Sequence, residues 1–537
     1  MEIGNRRRVA SAFAGVLLAA MAWTVPSHAH QSGEAGPDLR PWGEGGGNPA
    51  VVFFIASHAE DTEFGTNTAF HVGGGLFVTC VHAFESYEKF EVLTATGSRS
   101  RVGRIAAFDR ARDVAVFTVD PPLEGLAAIE LADGAAAPGT MTSTVGFPGN
   151  AYREMAAPVL GQWPVAGWGE LLALDGIAEA GASGGPVLDG KGRALGMIFR
   201  SSFGKGAGHE VGPLTYSVAS TDIVRLLGTA RAALKAGPDA TGPLSIGEWV
   251  RKGRDAWSPL PHIVHRSLWK KDFDGAAKAI RKRLAANPKE ARTWALYSEV
   301  FRAQGDLESA ARAVDSALEA EPGDCRALFE LGEIKEHKGE TASAIAAYEQ
   351  CALGRRPGMD FNDLMLVSDA HCKRAYLLDA AGRREEAVQA YRAALAIGPY
   401  LSCEHWRLGD VLCLLDRPSE GIAAFRRSLA LRPGQPLVLL RLAIAQSAGA
   451  ESGAALESAR AAVAMDGKSP VARFLLGYLA WREGWKDEAR AQVAPLVELD
   501  RDLAARLSAH LDGREDRPPG FTFSMGGGLK VKPLPTR

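Results

Sequence analysis

The hydrophobic pattern of this chain changes its period once, and that change divides it. From about residue 50 to 228 the apolar residues come in short β-branched and aromatic runs: "VVFFIA", "NTAFHV", "GLFVTCV", "FEVLTA", "DVAVFTV", "TMTSTVGF", "PVLD", "ALGMIF" and "LTYSVA". Gly, Pro, Asp and Asn interrupt them every ten to twenty residues. Many short strands at such spacing predict an all-β barrel or sandwich over 49–228. "STDIVRLLGTARAAL" then takes up the helical period, with Ser220 or Thr221 placed to cap it. The Gly- and Pro-bearing stretch 229–261 reads as a linker.

From 262 to 512 the pattern is helical and it repeats. A small residue followed four positions later by a second apolar one recurs at Ala276/Ile280, Ala310/Val314, Ala344/Tyr348, Ala387/Tyr391, Gly421/Phe425, Ala455/Ala459 and Ala489/Val493. Successive spacings are 34 residues, except for one of 43 that places a nine-residue insertion near "GMDFNDLML". Gly305, Gly339, Gly382 and Gly484 sit where tight inter-helix turns are needed, and Pro288, Pro322, Pro399 and Pro433 end their units. These units resemble the tetratricopeptide repeat. Its Leu-Gly pair appears as Leu331-Gly332, Leu408-Gly409 and Leu476-Gly477, and its tryptophan as Trp294. The resemblance implies an all-α solenoid of about seven units whose groove takes a protein partner. A Gly/Pro-rich tail, 513–537, follows.

Composition changes this picture little. A formal charge of −2 and a pI near 6.7 provide no basic footprint, so no nucleic-acid partner is expected. The first thirty residues do add something. Arg6, Arg7 and Arg8 precede an apolar stretch from Ala10 to Val25, and Ser27 and Ala29 suit a signal-peptidase cut before His30. Residues 1–29 therefore read as a cleavable signal peptide and 30–48 as a flexible segment. The apolar stretch is short for a membrane span, so a soluble periplasmic or secreted protein is expected, with no span after cleavage. Export permits disulfides. Cys403 and Cys413 fall too far apart on one predicted helix to pair, whereas a pair among Cys325, Cys351 and Cys372 stays open. There is no CxxC pair and no HExxH, so neither metal nor cofactor is expected.

Candidate chemistry centres on "GASGGP", residues 181–186. By itself the run reads as a turn. Ser183 becomes a nucleophile only if a base takes its proton and a third group orients that base. His71 lies within an alternating strand and reads as a satisfied barrel residue. His82 ends an apolar strand after Thr79, where the chain leaves the wall and can present an imidazole. Asp113 stands at the mouth of the buried strand "VAVFTVD", while Asp109 and Asp120 lie on its turn sides.

His82 in "VTCVHA", Asp113 in "RDVAVF" and Ser183 in "GASGGP" resemble the three motifs of trypsin-like serine proteases. Their order and their separations of 31 and 70 residues are closest to the periplasmic high-temperature-requirement proteases. The resemblance covers 50–228 and implies a double β-barrel endopeptidase acting on protein or peptide substrates. Ser183 would be the nucleophile, His82 the general base and Asp113 its orienting carboxylate. The Gly181 and Ser183 amides would form the oxyanion hole. The specificity pocket would have its base near Ile177 and its wall at Phe199, Arg200 and Ser201. Ile177 carries no charge, which suits small or apolar substrate side chains. Two positions depart from the family: Ala182, where a polar or acidic residue is usual, and Cys80, usually small or polar. They leave open an inactive protease-like domain on a protein-binding scaffold. An esterase is disfavoured, since the G-x-S-x-G elbow is absent. The repeats are expected to recruit partners or substrates without acting on bond cleavage.

Overall fold

The computed structural model describes residues 47–514 apart from 58–63, 86, 135, 166–168, 177, 179–180, 207–208, 237–243, 251–259, 270, 356–358 and 360, together with 521–523 and 529–531. The segment read as a signal peptide, Ile177 and most of the C-terminal tail lie outside the described residues. Residues 41–537 form one compact unit.

The short runs become two closed six-stranded barrels. β1 (Val51–Ser57), β2 (Phe64–His71), β3 (Phe77–Thr79), β4 (Lys89–Leu93), β5 (Arg99–Asp109) and β6 (Val114–Asp120) pair in the order β5-β4-β1-β2-β3-β6, and β6 returns to β5. Closure explains why β1 is apolar along most of its length rather than alternating: it is flanked by β2 and β4 and buried almost throughout. Phe54, Phe84, Phe90 and Phe117 meet largely edge-to-face in this barrel's core. The second barrel runs β10-β11-β12-β9-β8-β7. Its strands are β7 (Met141–Gly146), β8 (Arg153–Val165), β9 (Gly169–Asp175), β10 (Pro186–Leu188), β11 (Ala194–Gly206) and β12 (His209–Ala219). Leu172, Leu174, Val187 and Ile198 help to fill it.

Helix α1 (Ser220–Lys235) closes the β region. Its cap is Ala219, without a side-chain bond, because the Ser220 hydroxyl donates instead to the Ala132 carbonyl at 2.7 Å. Part of the stretch read as linker is built into the first barrel. β13 (Leu244–Ser245) adds to β5, and Trp249, 1% exposed, donates its indole N–H to the Phe84 carbonyl at 3.2 Å. A composition rich in Gly and Pro does not register one well-placed tryptophan.

The helical region consists of antiparallel pairs from Leu260–Trp269 with Phe273–Ala286 onward, and each helix packs on the next. Ala276, Ala310, Ala344, Ala387, Ala455 and Ala489 are all fully buried, as the repeat register requires. The glycines of the Leu-Gly pairs have a packing cause. A Cβ on Gly332 would lie 2.5 Å from the Tyr348 ring, and one on Gly409 would lie 2.7 Å from Phe425. Helices end at Ala286, Ala320, Ile397 and Leu431, each two residues before its proline. Cys325 and Cys351 form a disulfide between the two helices of one pair, while Cys403 and Cys413 share a helix as free thiols.

The nine-residue insertion lengthens one repeat helix to 20 residues, Phe361–Ala380, where its neighbours have 13 or 14. Phe361, at its start, seats among Trp163, Phe199 and Tyr216 of the second barrel. The Tyr400 hydroxyl donates to the Gln162 carbonyl at 2.7 Å across the same boundary. The solenoid is thus packed on β8, β11 and β12, and not merely tethered by a linker.

Candidate active site

His82 lies in a short 3-10 turn, Val81–Phe84, directly after β3. Asp113 immediately precedes β6, with a φ of 56°, a left-handed conformation that Asp tolerates better than most residues. β3 and β6 are paired, so the two residues emerge side by side. Asp113 holds His82 at two points: Oδ1 accepts the His82 backbone N–H at 2.9 Å, and Oδ2 lies 2.5 Å from Nδ1. The ring is thereby oriented with Nε2 free of that carboxylate. The His82 side chain is 37% exposed and that of Asp113 18%, so the imidazole is reachable while the carboxylate is screened. Burial pulls the imidazole pKa down, but Asp113 and, after it, Cys80 together outweigh that pull, and His82 stands well above the ordinary value.

Ser183 sits half-buried between Gly181 and Gly185. Its loop is anchored from the first barrel by a residue that the sequence reading passed over, Thr68 of β2. The Thr68 amide donates to the Ser183 carbonyl at 2.9 Å, and its hydroxyl donates to the Gly181 carbonyl at 2.7 Å. Thr79 in turn donates its hydroxyl to the Thr68 carbonyl at 2.7 Å. On the other side, β11 holds the loop through Ile198. Its carbonyl accepts the Gly184 N–H at 2.7 Å, and its amide donates to Gly185 at 2.8 Å. Gly181 has a φ of 102°, and a Cβ there would lie 2.4 Å from the Phe147 carbonyl oxygen, so no other residue fits without movement. Among the described residues neither the Gly181 nor the Ser183 amide donates to an acceptor.

The two departures from the family pattern have local causes. Ala182 is fully buried in the core of the second barrel, where a polar side chain would need a buried partner. Cys80 is also fully buried, and its thiol donates to the Ile198 carbonyl at 3.3 Å. Burial, with Asp113 adding to it, pushes the thiol pKa up to about 11, which keeps it protonated at neutral pH. Cys80, His82 and Asp113 bring ligand-type atoms within 4.8 Å of one another. The thiol meets both the Ile198 carbonyl and the His82 ring, and the carboxylate holds His82.

The remaining candidates divide. His71 is buried, with Nδ1 2.8 Å from the Ala127 carbonyl, the satisfied barrel residue its strand position suggests. Asp109 accepts from the Arg112 backbone and guanidinium at 3.0 and 2.7 Å, and Asp120 is exposed. Ile177 lies outside the described residues, and Ser201 pairs with Thr215 in the ladder between β11 and β12. Phe199 and Arg200, read as the wall of the specificity pocket, lie beside the solenoid. The Phe199 ring is 5.1 Å from that of Phe361, and the Arg200 guanidinium lies 5.8 Å from the same ring. Phe361, the first residue of the lengthened solenoid helix, thus engages both side chains.

The fold and site can be set beside known proteins. This chain covers 85% of the Rv3671c protease from M. tuberculosis in its active form; the match spans 37% of this chain, at 18% identity and a TM-score of 0.31. It covers 63% of a serine endoprotease from Yersinia pestis over 34% of its own length, at 17% identity and a TM-score of 0.30. No curated protein matches the sequence. The model of the trypsin-like peptidase domain matches residues 67–197. Those of the tetratricopeptide repeat match 270–324, 298–360 and 368–399. The chain thus contains a trypsin-like peptidase domain in its barrel region and tetratricopeptide repeats in its paired helices.

Proposed function

We propose that this protein is an exported serine endopeptidase with Ser183 as nucleophile, His82 as general base and Asp113 as its orienting carboxylate. The observation that carries the reading is the two-point hold of Asp113 on His82, together with a serine loop tied to both barrels and joined through the Ile198 carbonyl to Cys80, two residues before His82. In this mechanism His82 takes the proton of the Ser183 hydroxyl as it attacks a peptide carbonyl, then passes it to the leaving amine. Asp113 keeps the Nδ1 proton in place and stabilises the imidazolium. The Gly181 and Ser183 amides receive the developing oxyanion, and one such donor is worth roughly 10²–10³ in turnover. The repeats offer a surface for protein substrates or partners. Export draws support from the Cys325–Cys351 disulfide, a bond that oxidising compartments sustain.

Labelling of the intact protein by a fluorophosphonate probe tests this reading. Stoichiometric labelling that is lost in Ser183→Ala and in His82→Ala, and is unaffected by EDTA, is expected. Absence of labelling in the wild-type protein would favour a protease-like scaffold without activity. Inhibition by EDTA that zinc restores would replace the serine mechanism with a metal-dependent one.

A further inference from the structure

We infer that Phe361, supplied by the repeat region, is a positioning residue for the Ser183 loop and acts through strand β11. The inference rests on the function proposed above. Phe361 begins the one repeat helix that the nine-residue insertion lengthens, and it is 2% exposed. Its ring centroid lies 5.1 Å from those of Phe199 and Tyr216 and 6.1 Å from that of Trp163. An aromatic of this size in such a cluster buries a large apolar surface and fixes its neighbours.

What gives this packing a catalytic consequence is the position of Phe199. The ladder between β11 and β12 changes register between Ile198 and Arg200, which places Phe199 at the bulge. Its ring packs against that of Phe361. The residue before it, Ile198, binds Gly184 and Gly185 on the C-terminal side of Ser183 and accepts the Cys80 thiol two residues before His82. The residue after it, Arg200, faces the same solenoid helix, where its charge acts on Asp369. One bulge therefore couples the solenoid to the nucleophile and to the turn that carries the base. Without Phe361 the bulge gains room to shift, and the Gly184 bond is the first to loosen.

Three variants of the full-length protein test this. Phe361→Ala removes the ring, Phe361→Leu restores most of the apolar volume, and Tyr400→Phe breaks the bond to Gln162 on β8 without touching β11. The readouts are hydrogen exchange at the Gly184 and Ile198 amides and the rate of Ser183 acylation by a fluorophosphonate. Phe361→Ala should speed exchange at both amides and slow acylation by about tenfold, the signature of a local opening made easier. Phe361→Leu should recover most of the loss, and Tyr400→Phe should leave both readouts close to wild type. Unchanged exchange in Phe361→Ala, or equal effects of Phe361→Ala and Tyr400→Phe, would overturn the inference. If Phe361→Ala fails to fold, Phe361→Val, which leaves a smaller gap, takes its place: faster exchange and slower acylation than in Tyr400→Phe are expected, and equality with Tyr400→Phe would overturn the inference. A wild-type protein that does not react with the probe would sink the proposed function, while the exchange readout would still decide the coupling.

Discussion

Thr68 and Ser183 are joined across the two barrels by a backbone hydrogen bond of 2.9 Å. The Thr68 hydroxyl adds a bond to the Gly181 carbonyl and accepts the Phe147 amide at 3.2 Å, so one side chain of the first barrel sets the loop of the second. Thr68→Val keeps the shape and removes the hydroxyl, stranding a buried carbonyl and a buried amide at roughly 1–3 kcal/mol each. The expected result is a lower Tm together with slower labelling of Ser183, and Thr68→Ser should recover both. Thermal unfolding and labelling rate on the three proteins check it.

The pH dependence follows from His82. Only the neutral ring accepts the proton of Ser183, and Asp113 holds the imidazole pKa above its ordinary value of about 6.5. Acylation should therefore rise over a more alkaline range than a free imidazole would give. Asp113→Asn removes the carboxylate, so the midpoint should fall while the plateau rate also drops. The stability sign is fixed as well. A raised folded pKa contributes stability that is fully present below the unfolded value and lost as pH rises through the folded one. A midpoint that stays put in Asp113→Asn would show that the carboxylate does not set it.

Gly184 tests the loop sterically. Its φ is 84°, and a Cβ would lie 2.1 Å from the Thr68 carbonyl oxygen. Gly184→Ala should displace the loop, abolish labelling of Ser183 and lower Tm, since the left-handed conformation alone costs about 1–2 kcal/mol for a residue with a Cβ. Gly190, seven residues beyond Ser183, has nothing within 4 Å of such a Cβ. Gly190→Ala should label like wild type. Equal behaviour of the two variants would contradict the placement of the loop.

Removal of the solenoid should harm the barrels. A fragment ending at residue 250 would expose Trp163, Phe199 and Tyr216, each now under 10% exposed. Aromatics of this size carry roughly 150–250 Å² each, and together they would approach or exceed the largest apolar patches of ordinary soluble monomers, about 300–600 Å². Self-association in size-exclusion chromatography and strong binding of a hydrophobic dye are expected. A monomeric fragment with full labelling of Ser183 would restore the view of the repeats as recruiters alone.

What could be read from the sequence was local. Strand runs and turn residues predict the β region, the 34-residue register predicts the helix pairs, and small residues around Ser183 mark a loop. Each of these signals lies within one element or one repeat of the residue it concerns. Asp113 and His82 were legible because each stands at the end of a strand, and strand ends next to a barrel mouth are few. Thr68 gave no such signal: in "NTAF" it is an ordinary strand threonine, and its partner Gly181 is 113 residues away. Trp249 looked like part of a linker, because its place in the first barrel depends on Phe84, 165 residues earlier. The insertion before Phe361 was visible as a break in spacing, but the sequence could not say what it met. Periodicity records which face of an element is apolar. Which other apolar face covers it is decided only when the chain closes on itself, and that closure placed Phe361 against Phe199.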